Sequence, residues 1–171
     1  MASPRNALFE RTNMNLELLN HVSAFIWQEA DMLDHGEFDA WLDLWSEKGT
    51  YIIPIDPNET DFENSLNYAY DDHHMRTLRV KRLTSGESIS TTPRARTVRA
   101  LSRFRVLGEA DGVVTVRCAQ NLREFRKDML KHYTADITFE LKREGEGFRI
   151  QRKLIQLINS TDTLAGIGYI L

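Results

Sequence analysis

Two clusters of acids and imidazoles are the places where this chain could do chemistry. Asp31, Asp34 and His35 stand at the end of the first helical stretch, and Asp71-Asp72-His73-His74 follows a short strand. A carboxylate or imidazole buried beside a hydroxyl donor can serve as general acid or base on a carbonyl compound. Tyr51, Tyr68 and Tyr70 could supply that donor. Asp31, Asp34, His35 and Tyr70 are thus the candidate catalytic set for a stand-alone lyase or isomerase. The plainer reading is that the acids bond arginines or face water, while the tyrosines pack. A non-haem metal site needs two histidines and a carboxylate aimed at one point. His73 and His74 are adjacent, and neighbours on a helix diverge by about 100°. Asp71 and Asp72 read better as a helix start, where acids suit the dipole. The single cysteine, Cys118, excludes an internal disulfide, a four-thiolate zinc site and a cysteine-ligated iron–sulfur cluster within the chain. It sits in the strand-like run VVTVRCAQNL and is expected to be a small buried thiol.

Charge is sorted along the chain. From Gln28 to His74 there are thirteen acids and one base, and from Arg76 to Val106 nine bases and one acid, in a chain whose net charge is only −3. Arginine suits buried carboxylate partners because its planar fork bonds them in pairs. Asp31, Asp34, Asp71 and Asp72 are expected to meet arginines such as Arg79, Arg94 and Arg96, within the chain or across a subunit boundary. Strict alternation in the strand from Arg94 would put Arg99, Arg103 and Arg105 on one face. The alternative is a solvated strand face, where each pair contributes about 0–1 kcal/mol.

The elements that must position these groups follow from hydrophobic periodicity. Leu18, Val22, Ile26 and Leu33 recur at helical spacing and predict a helix from Asn15 to Asp34, ending at Gly36. A second helix is expected over Phe38–Trp45, then strands at TYIIPI and SLNYAY, and a third helix over His73–Thr84 capped by Asp71 or Asp72. Beyond Arg94 the period changes to two. Four long strands are expected over Arg94–Leu107, Val113–Lys127, His132–Arg143 and Phe148–Asn159, joined by turns at 110–112 and 145–147. Helices followed by a meander make an α+β domain, with the helices packed on a long, strongly curved antiparallel sheet that forms a cone or half-barrel.

The 171 residues, 42% hydrophobic and 27% charged, suit one domain with one core. Residues 1–14 are expected to be a mobile arm and residues 15–171 a single cone domain. No apolar run is long enough to span a bilayer, and the first residues lack the apolar core of a signal peptide. A cytoplasmic protein is expected, with no membrane partner. The mildly acidic balance argues against nonspecific nucleic-acid binding.

The opening EADMLDHGEFDAWLDLWSEKGTYIIPI resembles that of the cone-shaped fold shared by nuclear transport factor two, ketosteroid isomerase and scytalone dehydratase. Tyr70–Asp72, Arg79–Gly86, Pro93–Val106, the run RIQRKLIQLINS and the terminal GYIL are similar, in order and spacing, to the small (β) subunits of aromatic-ring-hydroxylating dioxygenases. That resemblance implies a large (α) subunit as partner, in a hexamer of three large and three small subunits with the small ones associating as a trimer. It places a Rieske iron–sulfur cluster and a mononuclear iron in the large subunit. It implies dioxygen insertion into an aromatic ring, with electrons from a reductase, and a mainly structural role for this chain, which itself holds no catalytic residue, metal or cofactor. Asp71, Asp72, Arg79, Arg94, Arg96 and Tyr169 are then expected to serve structural ion pairs or the interface. Phe62, Tyr68, Ile167 and Ile170 are further candidate anchors, unless the apolar terminus covers the domain's own core. The chain departs from the pattern at Thr97 and Leu101, where many relatives carry His and Asn. That loss removes a polar pair and weakens the rival reading of an independent cone-fold enzyme. A binding or scaffolding module without any oxygenase is the third possibility.

Overall fold

The computed structural model describes residues 15–85, 93–161 and 170–171. Helix α1, Leu16–His35, begins where the Asn15 side chain accepts the Leu18 amide at 3.0 Å. It ends where Gly36 takes the left-handed conformation, φ 75°, and its amide returns to Leu33, a helix end that glycine makes without strain. Its buried stripe is Leu18, Val22, Ile26 and Leu33, with Ser23, Glu29 and Ala30 beside them.

Helix α2 is only Phe38–Leu42, shorter than the periodicity suggested. Trp45 instead opens strand β1, Trp45–Pro54, opposite Ile150. Its ring makes edge contacts with Trp41 and Tyr51. Aromatic packing across the junction accounts for the helix-like spacing of residues that straddle two elements. Strand β2, Asn67–Asp71, pairs back on β1. Helix α3, His73–Thr84, is capped by Asp72, which accepts the Met75 amide at 2.8 Å.

Strands β3 (Arg96–Ala110), β4 (Val113–Arg126), β5 (Met129–Glu144) and β6 (Gly147–Leu157) form the long meander. The sheet order is β2-β1-β6-β5-β4-β3, with β2 and β3 at its open edges. The sheet is mixed rather than wholly antiparallel, because β1 and β6 run parallel. The passage through α3 carries the chain to the far edge, and three reversals bring β6 back beside β1 in the same direction.

Helix α1 packs against the inner face, where Val114, Val116, Cys118, Leu122, Ile137, Phe139, Ile155 and Leu157 are buried. The register of β3 is irregular at two places, the second of them between Val106 and Gly108. The register shifts between Ser102 and Arg105, and Arg103 has φ 58°, as at a β-bulge. Arg99 consequently faces the core, while Arg103 turns outward to pair with the exposed Asp136.

Candidate functional site

The inner face of the sheet carries a polar cluster sealed beneath α1. Glu29 and Lys153 are both fully buried. The Lys153 ammonium donates to the two Glu29 oxygens at 2.8 and 3.1 Å, and to the main-chain oxygen of Leu171 at 2.9 Å. Three donors meet three acceptors, so the ammonium is fully used. The Trp41 indole N–H donates to Glu29 Oε1 at 2.7 Å, and the Leu171 amide donates to Tyr51 Oη at 2.9 Å. Burial pulls the Lys153 pKa down, opposed by the charge and hydrogen bonds of Glu29. Burial pushes the Tyr51 hydroxyl up.

A second buried pair lies alongside. The Asp34 carboxylate accepts from the Arg99 guanidinium, from the Arg99 amide at 2.7 Å and from Thr97 Oγ1 at 2.8 Å. Arg99 also donates to the Ile170 carbonyl. Ile170 and Leu171 are buried and are held by groups from β1, β3 and β6. Ile170 is therefore a core residue, not an interface anchor.

The candidate catalytic residues do not converge. Asp31 and His35 are exposed and pair with each other. The hydrogen bond to the Asp31 carbonyl and the Asp31 charge raise the His35 pKa. Asp34 is consumed by Arg99 and Thr97, and Tyr70 is exposed on β2. The Tyr68 hydroxyl donates to the Ser160 carbonyl at 2.7 Å. The open groove between the start of α1 and the β5–β6 turn, about 820 Å³, is lined by Glu17, His21, Phe25, Gln28, Arg143 and Phe148 among others; neither Glu29 nor Lys153 borders it.

Of the expected acid–arginine pairs, two form among the described residues: Asp34 with Arg99, and Asp71 with Arg79. The second is bidentate, at 2.6 and 3.1 Å. Burial works against the Arg79 charge, but the Asp71 hydrogen bonds prevail and its pKa rises. Arg94 and Arg96 instead lie over the rings of Phe38 and Phe125, at 5.3 and 5.2 Å, and neither makes an ion pair among the described residues. Stacking offers a guanidinium a partner without full desolvation. Asp72 is used as a helix cap. Tyr169 and Ile167 lie outside the described residues.

The cluster of Glu29, Trp41 and Lys153 was missed from sequence, although signals existed. Glu29 interrupts the apolar stripe of α1, and Lys153 occupies an inward position of β6 beside Ile155 and Leu157. A charge on a core face requires a buried partner.

The residues present do not fit an iron centre. Cys118 is buried, and burial pushes its thiol up to about 12, far from the thiolate a metal needs. Among the described residues no three His, Cys, Asp or Glu side chains converge as ligands. None of the described helices is long and apolar enough to cross a membrane.

Comparison with known proteins gives this architecture a family. A model described as ring hydroxylating beta subunit matches residues 28–163. The chain is 30% identical over 151 residues to the anthranilate 1,2-dioxygenase small subunit of Acinetobacter baylyi, covering 85% of this chain and 93% of that one. It superimposes on the beta subunit of a benzoate 1,2-dioxygenase from Burkholderia mallei with TM-score 0.70 at 25% identity, covering 87% and 95% of the two chains. A naphthalene 1,2-dioxygenase structure shares the fold at TM-score 0.80 and 15% identity, covering 99% and 95%. The chain belongs to the ring hydroxylating beta subunit family, the small subunits that partner the large subunits of aromatic-ring-hydroxylating dioxygenases, whose oxidoreductase activity the complex carries.

Proposed function

We propose that this chain is a structural scaffold, forming a trimer within a cytoplasmic hexamer of three large and three small subunits. The large subunit holds a Rieske cluster and a mononuclear iron and supplies all of the redox chemistry. The observation that carries this reading is the sealed interior. The buried base that an acid–base enzyme of this shape would need, Glu29, is spent on Lys153 and Trp41, and Ile170 and Leu171 fill the space beside it. A carboxylate whose oxygens are so engaged is not free to accept a proton from a substrate.

The substrate contacts are assigned to the large subunit. Relatives named for anthranilate and benzoate make an aromatic carboxylate the first compound to test. Reconstitution tests the scaffold role. The large subunit with its reductase should turn over only when this chain is present, and Asp31→Asn and Tyr70→Phe should leave kcat/KM within about twofold. Loss of turnover in either variant, with the complex intact, would overturn the scaffold reading.

A further inference from the structure

Two groups of charges without an ion pair among the described residues lie toward one end of the sheet, with opposite signs at separate places. The β4–β5 hairpin closes through Lys127 and Asp128, both left-handed (φ 49° and 60°), the two-residue loop that suits strand twist. Around this tip stand Arg123, Arg126, Lys127 and Lys131, none in an ion pair among the described residues. Phe125, Met129 and Leu130 are exposed between them, at 38%, 59% and 62%.

The same end of the sheet carries the β1–β2 loop, with Asp56, Glu59, Asp61 and Glu63. Among the described residues Asp56, Glu59 and Asp61 bond only neighbouring residues of the loop, as when Asp61 accepts from the Asn64 side chain at 2.9 and 3.0 Å. Beside the loop, Leu66 and Ile158 are exposed at 82% and 76%. Strands β6 and β5 separate β1 from β4, a span of about 14 Å, so the two patches do not reach one another within the chain.

We infer that these patches are the two halves of one contact between copies of this chain: the basic, apolar β4–β5 tip of one copy seats on the acidic β1–β2 loop of the next. A second copy fits both patches at once, since each cluster supplies what the other lacks. Two-fold self-pairing of either patch would set like charges together. A head-to-tail contact closes into a ring when its rotation allows and otherwise runs on as a filament; the ring is the case here because this inference rests on the trimer proposed above. Phe125, Met129 and Leu130 form the desolvated centre, with charges at the rim fixing direction.

The native complex, with the chain unaltered, provides the first test. Carbodiimide couples amines to carboxylates in contact. Complexes assembled from mixed heavy- and light-isotope chains should yield links from Lys127 or Lys131 to Asp61 or Glu63 that carry both labels. Links from these lysines only to the large subunit would overturn the inference.

Charge reversal is the second test. Lys127→Glu/Lys131→Glu and Asp61→Lys/Glu63→Lys should each weaken self-association at least about tenfold. The four changes together should restore it. Self-association unaltered by either reversal, in variants with unchanged melting, overturns the inference even if the iron-containing complex survives. Mixed-label links in a preparation lacking any iron-containing partner would leave the interface standing and remove the dioxygenase reading instead.

Discussion

The two faces of the sheet use charge in opposite ways. On the inner face two buried ions are matched within the fold, Lys153 with Glu29 and Arg99 with Asp34, while the fully buried Arg76 of α3 has main-chain oxygens and the Trp45 ring in place of a carboxylate. On the outer face and its rim the pairs are solvated, such as Arg143 with Glu109, or the charges are segregated, as at the β4–β5 tip and the β1–β2 loop. A charge taken out of water is costly unless partners and hydrogen bonds offset the loss. An exposed one need not be matched within its own chain and is available to another. Pairing inside and surplus outside suits the proposed scaffold, with Glu29 and Lys153 committed to each other and a surface able to assemble.

Breaking the inner pairs should have the largest effect. Glu29→Gln or Lys153→Met leaves its partner unmatched in the core and should lower stability by about 3–5 kcal/mol in denaturant unfolding. The double change Glu29→Leu/Lys153→Met should recover most of that loss, because the uncompensated charge disappears with its partner. A double variant as unstable as either single one would mean that geometry, rather than charge matching, holds the site. Asp34→Ala comes next. It strands the Arg99 guanidinium and amide together with Thr97, and should cost about 2–3 kcal/mol.

The inner face should also show a pH signature. The folded thiol of Cys118 titrates near 12 against an ordinary value of 9.0, because burial disfavours the thiolate. Its folded pKa is raised, so its contribution to stability is complete below the unfolded value and is lost as pH climbs from about 9 toward 12. Cys118→Ala should flatten the fall of stability over that range, and the folded protein's thiol should resist alkylation at pH 8. The outer pairs should have the smallest effect. Arg143→Ala and His35→Ala are expected to leave the melting temperature unchanged at physiological salt, where exposed pairs are screened.

Much of the fold could be read from periodicity. The third helix has the predicted limits, and the four long strands fall within a few residues of their expected ends. What periodicity could not convey is contact between distant segments. The parallel pairing of β1 with β6 joins residues about a hundred positions apart, and the Trp41–Trp45 spacing mimics a helix although Trp45 is held by a strand partner. The bulge at Arg103 breaks the alternation along β3, and a second register shift follows between Val106 and Gly108. Single-residue chemistry was likewise partial. Asp34 and Asp71 were visible as acids seeking arginines, but Arg99 rather than Arg94 or Arg96 is the partner of Asp34, because only Arg99 faces inward. Glu29 and Lys153 were legible only as misplaced charges, and nothing local indicates that they meet across 124 positions.

The most direct test of the scaffold account is the mass, iron content and visible spectrum of the native complex purified through this chain. The account predicts a larger second chain, present in equal number, with iron and the brown absorption of a Rieske centre. A colourless, iron-free assembly of this chain alone would contradict it.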